Sequence, residues 1–483
     1  MHYKIFLCVL LFPVSLSAQN GELSLTLEQS ASLMNKGSRT LQMADKAVDI
    51  ARSERQKMNA FWYPSLNASG AYVHLSNHIE VKEPLRQFTD PAKDFVHSIV
   101  PDDKFISSIL DNIGAHTLTF PLLERNLTTI DANVMWPLFT GGKRIFASRI
   151  GNRMVDLAKA GREEAGATLL SELVETYYAL RLAQRVVDVR EQTFLGLQKH
   201  YRNAMKLEEN GMINKAERLF AQVTMDEARR ELESARKDLN VAQNALKVLL
   251  NVEDAIRSED AISINPSSPL FMNHDLPDEL YFKNLVSTGS YIVSKLRIQE
   301  AMADNQLKIS KSAYIPTIAL FGKQTLYAEN LPKNLMPRTL VGVGFTWNIF
   351  DGLNREANIR QTRLTKQTLQ LGREKAQNEL GVLVDKLYSE IQNAKDDVAA
   401  LNTTIEMSRE LVRIRKKSFQ EGMATSTDVI DAETMLSKVQ IAFLLAYYKY
   451  DVALASLLST CGMPESFWQY SRTGQTENFI FGK

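Results

Sequence analysis

The sequence predicts a mainly α-helical chain with a β-barrel part, in which two repeats of long coiled-coil helices accompany four strands per chain. Three observations carry that reading: a heptad seam running from Leu380 to Phe419, period-two strands ending near Trp136 and Trp347, and a recurrence of both features at a fixed offset. At 483 residues the chain has room for several ordinary domains or one elongated, repetitive architecture. Glycine and proline, 22 and 14 residues, are sparse for that length, which favours long uninterrupted helices. Lys plus Arg (57) nearly balances Asp plus Glu (56), so the basic excess of a nucleic-acid binder is missing and no nucleic acid is expected as a partner.

At the N-terminus, Lys4 precedes an apolar run from Ile5 to Phe12, and Val14 to Ala18 ends it in small residues. This is the pattern of a secretory signal peptide, expected over 1–18. The run is too short to span a bilayer. Its removal would take Cys8 and leave Cys461 as the single cysteine, so no internal disulfide is expected. No later segment contains eighteen consecutive apolar residues.

Trp136-Pro137-Leu138-Phe139 recurs as Trp347-Asn348-Ile349-Phe350 at an offset of 211, which also maps Gly211-Met212 onto Gly422-Met423 and Glu217 onto Asp428. Upstream, Tyr63-Pro64-Ser65-Leu66 resembles Tyr314-Ile315-Pro316-Thr317, with the prolines 252 apart. The second offset exceeds the first by 41, so the first copy carries an insertion of that length between its proline and its tryptophan. The expected organisation is a first repeat over 23–276 and a second over 277–463. The first holds a β-hairpin at 64–140, a coiled-coil hairpin at 144–250 and a connector at 251–276. The second holds a β-hairpin at 314–350 and a coiled-coil hairpin at 354–461, followed by a tail at 464–483.

Stepping alternately by four and three from Leu380 to Phe419 meets ten apolar residues in twelve, and the positions 211 earlier, Leu169 to Glu208, hold nine. A seam of that period implies left-handed supercoiling. A helix from Arg144 to Glu209 would run roughly 100 Å, so it must lie against similar helices. In the strands, Val341, Val343, Phe345, Trp347 and Ile349 alternate with small or polar residues, and Ile130, Ala132, Val134, Trp136 and Leu138 do the same. About ten residues of period two suit a tilted membrane strand. The lipid-facing candidates are Val134, Trp136, Val343, Phe345 and Trp347. Four strands cannot close a barrel, and an open edge is not tolerated in lipid. If these strands span a membrane, several chains share one barrel.

The signal peptide, the duplicated helix–strand–strand–helix–helix plan and the tip Gly422-Met423-Ala424-Thr425-Ser426-Thr427-Asp428-Val429-Ile430-Asp431-Ala432 resemble the TolC family of outer-membrane efflux channels. The resemblance covers about 23–463. It implies a homotrimer, with a twelve-stranded β-barrel in outer-membrane lipid above a periplasmic α-helical tunnel. It also implies two partners, a periplasmic membrane-fusion adaptor and an inner-membrane pump of resistance-nodulation-division or ABC type. The implied function is efflux or type I secretion from that pump across the periplasm and outer membrane. The adaptor contact falls at Gly211, Met212, Ile213, Gly422, Met423, Ala424, Thr425 and Ser426, and the periplasmic gate at Asp428, Asp431 and Glu217. Two positions after the second glycine, where family members can carry a basic residue that latches the tip, this chain has Ala424.

Nothing in the sequence points to catalysis. There is no Walker lysine loop, His-Glu-x-x-His, nucleophile elbow or Cys-x-x-Cys, and Gly342-Val343-Gly344 lacks the rest of a dinucleotide fingerprint. No enzyme activity, metal or cofactor is expected. The alternative function is an exported coiled-coil scaffold or a periplasmic adaptor without a pore. The insertion within 77–128, broken by Pro84, Pro91, Pro101 and Pro121, belongs at the extracellular end of its hairpin, with a short helix expected at Phe105 to Ile113.

Overall fold

The computed structural model describes residues 22–74, 76, 79–80, 86–100, 104–114, 121–123, 126–251, 263–330 and 337–477. The expected signal peptide and residues 252–262 of the connector lie outside them. In chain order come β1 (Glu22–Leu25), α1 (Leu27–Gly37), α2 (Arg39–Asn59), β2 (Ser65–His74), β3 (Ile79–Glu80), α3 (Arg86–Ile99), α4 (Lys104–Gly114), β4 (Pro121–Leu123), β5 (Asn126–Phe139), α5 (Lys143–Glu209) and α6 (Lys215–Leu249). They continue with β6 (Ser263–Pro266), β7 (Phe271–Met272), α7 (Glu279–Gly289), α8 (Tyr291–Ser312), β8 (Thr317–Glu329), β9 (Thr339–Thr346), α9 (Asn354–Gln420), α10 (Ser426–Thr460), α11 (Phe467–Thr473) and β10 (Gln475–Thr476).

Helix boundaries carry the offsets seen in the sequence. Both ends of α5 and of α6 map onto those of α9 and α10 with an offset of 211, and both ends of α1 map onto α7 with 252. The helices α3 and α4 fall in the first-copy insertion.

The chain forms two compact units, one made of residues up to Asp45, Ala160–Ser294 and Glu374 onward, the other of Lys46–Lys159 and Lys295–Arg373. In the first, the α9 seam is buried at ten of its twelve positions, Leu401 and Arg415 being partly exposed. The α5 seam departs from its pattern: Val174, Tyr177, Tyr178 and Val189 are buried off the seam. The cause is a second packing surface. The Tyr177 hydroxyl donates to the Leu25 carbonyl (2.7 Å) and accepts from the Ser268 N–H (2.8 Å), while Tyr178 meets Phe271.

The strands around that surface are β1 paired in parallel with β6, and β7 paired antiparallel with β10. The expected tail is therefore folded at least to residue 477. Phe467 is buried, and fully buried Glu477 receives Arg181 (2.8 Å) and Arg185 (3.2 Å). Gly462, at φ +77°, lies so close to Gly289 that a Cβ there would stand 2.0 Å from the Gly289 carbonyl oxygen. Among the described residues α10 alone is long and apolar enough to cross a membrane, yet 61% of its most apolar window is buried. It is a core helix, with Asp451 completely enclosed within it.

The second unit is built on an antiparallel sheet in the order β2-β5-β8-β9. Its register sorts the residues cleanly onto two faces. Leu66, Val134 and Trp136 of β2 and β5 share a face with Leu320, Val341, Val343 and Phe345. That face is open: Leu66 is 73% and Phe345 75% exposed. The opposite face carries Asn67, Ser69, Asp131, Asn133, Lys323 and Thr325. Asp131 is enclosed there by Lys323 (2.8 Å) and the Thr325 hydroxyl (2.7 Å). Trp347 lies outside the sheet, because β9 ends at Thr346.

A strand-to-helix joint is made twice with the same chemistry. The Trp136 indole donates to the Trp62 carbonyl (3.1 Å) and the Trp347 indole to the Tyr314 carbonyl (3.2 Å). Arg144 stacks over Trp62 at 4.5 Å and donates to the Leu138 carbonyl. Its counterpart Arg355 stacks over Tyr314 at 3.9 Å and donates to the Asn348 carbonyl at 3.0 Å. Arg355 is 9% exposed, so its loss removes a nearly buried guanidinium together with its ring contact and its hydrogen bonds to backbone carbonyls. Arg355→Ala should cost about 2 kcal/mol, read as earlier thermal unfolding of the detergent-solubilised protein, and Arg355→Lys, which cannot stack and fork at once, should recover less than half.

Candidate functional site

Both coiled-coil hairpins turn by the same device. At the end of α5 the Met212 N–H reaches the Leu207 carbonyl and the Gly211 N–H the Glu208 carbonyl, each at 2.8 Å. At the end of α9, Met423 reaches Ser418 (2.8 Å) and Gly422 reaches Phe419 (3.1 Å). This is the Schellman arrangement, which places its glycine in the left-handed region, here at φ +72° and +75°. Asn214 then caps α6 by accepting the Glu217 N–H (2.9 Å), and Thr425 caps α10 by accepting the Asp428 N–H (3.3 Å).

Between the tips lies a cleft of about 300 Å³ lined by Met212, Ile213, Glu217, Met423, Ala424 and Asp428, among others. The fold thus gathers most of the expected tip residues and two of the three carboxylates expected at the gate, Glu217 and Asp428, in one place. Gly211, Met212, Gly422, Met423 and Thr425 are exposed. Ile213 and Ala424 are half-buried against a small core of Ala204, Ala221, Phe419 and Val429, and Ser426 is 1% exposed. Ser426 faces inward, so it belongs to the packing beneath the tips instead of their surface. Asp431 is exposed on α10 and does not line the cleft.

Asp428 has a structural task of its own. Its carboxylate accepts from the Thr425 N–H (2.9 Å) and hydroxyl (2.8 Å), closing a capping box, and its other oxygen meets Arg415 at 3.1 Å. The Thr425 backbone and hydroxyl bonds, with Arg415 beside them, hold the carboxyl below the usual carboxylate range. Position 424 is Ala, and the cation beside Asp428 comes from Arg415 of the preceding helix.

Below the tips is a buried polar cluster that the sequence did not flag. His200 of α5, 3% exposed, shares a 2.7 Å hydrogen bond with the Ser426 hydroxyl of α10 and stacks on Phe419 of α9 at 4.6 Å. Lys416 of α9 pairs with Glu433 of α10, which is 7% exposed. Gly196 makes room: a Cβ there would stand 2.7 Å from a Glu433 carboxylate oxygen. His200 borders the seam residues Leu197 and Tyr201, which is the only sequence signal it gives.

Burial, and secondarily the charge of Lys416, lower the His200 pKa from 6.5 to about 4. The native ring is neutral, whereas an unfolded one takes a proton near pH 6.5, so the contribution is complete above that value and is lost as pH falls toward 4. Lys416, whose charge acts on the ring, is itself paired with Glu433. Between pH 7 and 4.5, hydrogen exchange at the start of α10 should therefore report more frequent opening, by up to about tenfold per pH unit within the window. In His200→Gln, after correction for intrinsic rates, that pH dependence should disappear.

The profile of the outer membrane efflux protein family matches residues 123–252 and 292–463, more than half of the chain. The chain is 22% identical over 446 residues to the probable outer membrane lipoprotein SilC of Salmonella typhimurium, covering 88% of this chain and 83% of that one. It is 22% identical over 304 residues to the alkaline protease secretion protein AprF of Pseudomonas aeruginosa, covering 61% of each. The fold is similar to that of the outer membrane protein VceC of Vibrio cholerae, with TM-score 0.69, 14% identity, and coverage of 90% and 96%. The two-segment match, falling on the paired strand and coiled-coil elements of both repeats, shows that the chain belongs to the outer membrane efflux protein family.

Proposed function

We propose that the chain is the outer-membrane channel of a tripartite export system, working as a homotrimer that receives cargo from an inner-membrane pump through a periplasmic adaptor. The observation that supports this most is the sheet: four antiparallel strands with one exposed apolar face and one polar face. Lipid accepts the first face but not the free edges of β2 and β9. Three copies edge to edge give twelve strands, a number within the range of outer-membrane barrels. A scaffold or adaptor without a pore has no use for an apolar sheet face of this extent.

The tips are the adaptor contact in this reading. Met212 and Met423, 58% and 72% exposed, offer adaptable apolar surface to a partner. A Cβ on Gly422 meets no neighbour, so Gly422→Trp carries a left-handed backbone cost of ~1–2 kcal/mol and sets a bulky indole at the cleft between the tips. It should abolish transport and adaptor crosslinking while the oligomer still assembles; undiminished transport would remove the tips from the contact.

Asp428 and Asp431 narrow the periplasmic entrance, with Glu217 as the first-copy counterpart. Threefold repetition makes each a ring of three carboxylates, which favours cations. Arg415 holds Asp428 against its own hairpin, so the charge that faces the passage is set by both. In bilayers with asymmetric salt, Asp428→Ala/Asp431→Ala should lower cation over anion selectivity by roughly threefold and relieve block by multivalent cations from the periplasmic side. Arg415→Ala should move selectivity the opposite way. Unchanged selectivity in both variants would leave Asp428 as a helix cap and place the constriction elsewhere.

A further inference from the structure

Four helices adjoin the sheet along the chain, and positive charge collects at their strand-proximal ends. The stretches 48–59 of α2, 143–154 of α5, 301–312 of α8 and 354–365 of α9 hold twelve Lys and Arg against four Asp and Glu. Forty-eight residues thus carry +8 in a chain whose net charge is +1, so the remainder is acidic on balance. The fold does not use up this charge. Arg144 and Arg355 serve the strand-to-helix joints, and Arg52, Lys57, Arg153 and Lys308 pair with carboxylates of their own helices. Lys143, Arg149, Lys311, Arg360 and Arg363 are exposed and meet no carboxylate among the described residues.

Arg149 and Arg360 are the same position in the two copies, being 211 residues apart. Each stands six residues after the start of its helix, about 9 Å along the axis. Side chains lean toward the N-terminus of a helix, and for α5 and α9 that end is the sheet. Arg149 has this lean, with its guanidinium 5.6 Å over the ring of Phe146, one turn nearer the strands. Between the cations and the apolar sheet face runs a band of exposed aromatics. Phe139 and Phe345 end that face, and Tyr63, Tyr314, Trp347 and Phe350 follow at the strand ends, all 45–77% exposed. Such a band marks the boundary of the hydrocarbon layer, and lipid headgroups occupy the next ~5–8 Å.

From this succession of apolar sheet, aromatic band and cations we infer that the helix ends form a collar that binds the anionic phospholipid headgroups of the periplasmic leaflet, with Arg149 and Arg360 as its principal contacts. The inference rests on the channel reading above, because the sheet must span the outer membrane for the collar to meet that leaflet. A guanidinium offers a phosphate two parallel N–H donors, which a lysine does not. Three chains supply six such arginines. Basic residues just outside the hydrocarbon layer are drawn to anionic lipid, and the attraction is screened by salt. A soluble anion in transit presents the same chemistry, but the aromatic band that continues the lipid-facing sheet into the collar favours the leaflet.

The test uses the full chain reconstituted in vesicles and the fluorescence of Trp62, Trp136 and Trp347 at the strand ends, with the distant Trp468 changed to Phe. Brominated phosphatidylglycerol and brominated phosphatidylcholine serve as quenchers at equal mole fraction. The expected result is quenching by both, with the anionic lipid favoured about threefold at low salt and the preference mostly gone at about 0.5 M salt. Arg149→Gln/Arg360→Gln should remove the preference, and Arg149→Lys/Arg360→Lys, which keeps the charge, should retain most of it. Equal quenching by the two lipids in the parent overturns the collar while leaving the channel intact. So does a preference that the Gln variant leaves unchanged, which is the outcome if the arginines serve a soluble anion. Quenching by neither lipid overturns the channel reading itself, and the collar with it.

Discussion

A four-stranded sheet with two unlike faces and two free edges is the constraint from which the rest of the molecule follows. Its apolar face, from Leu66 across to Phe345, is left exposed by the described residues. Its polar face, by contrast, is knit together by Asp131, Lys323, Thr325, Asn133 and Ser69. In water such a sheet exposes too much hydrocarbon, and in lipid it exposes backbone edges that cost several kcal/mol per unsatisfied group. Closure with further copies of the same sheet answers both problems.

Duplication explains how one short chain supplies two equivalent strand pairs and two equivalent hairpins. The joints where strand meets helix reproduce the same indole-to-carbonyl bond and the same arginine stacking in both copies. Divergence is concentrated where the copies do different work. Arg415, Lys416 and Glu433 tie α9 to α10 in the second hairpin, whereas the first has Ala204, Met205 and Gln222 at the corresponding positions and uses Arg218 with Glu208. The first hairpin is further tied by Arg190 to Glu231 and by Arg236 to Glu191, so both hairpins are strapped by ion pairs, but at different places along their length.

Much of this was legible in the sequence because the governing signals are periodic. The 4-3 seam predicted the buried line of α9 at ten of its twelve positions, and period two predicted the sheet faces on which Val134, Trp136, Val343 and Phe345 lie. The seam failed on α5, where Tyr177 and Tyr178 face a second surface made by β1, β6 and β7, since one helix can serve two interfaces without a change of period. Trp347 was placed in a strand because it continues the alternation, but its indole is bonded to a carbonyl past the strand end. The segment 464–477 gave no signal at all: its docking rests on Phe467 and on Glu477 meeting two arginines almost three hundred residues away. His200 and Glu433 were missed for a related reason, being polar residues whose meaning lies in what another helix brings to them. The contact of α4 with the sheet, Phe105 on Phe321, was equally hidden, since it has no local pattern.

Closure of the sheet by other copies can be measured directly. Single cysteines are paired across the two free edges, one on β2 between Ser65 and His74 and one on β9 between Thr339 and Thr346, in full chains assembled in the outer membrane, and the disulfide-linked products are sized after oxidation. The account predicts inter-chain links at a few registers only, with products that stop at three chains and revert to one on reduction. Products that continue past three chains, or no inter-chain link at any register in protein that fractionates with the outer membrane, would contradict it.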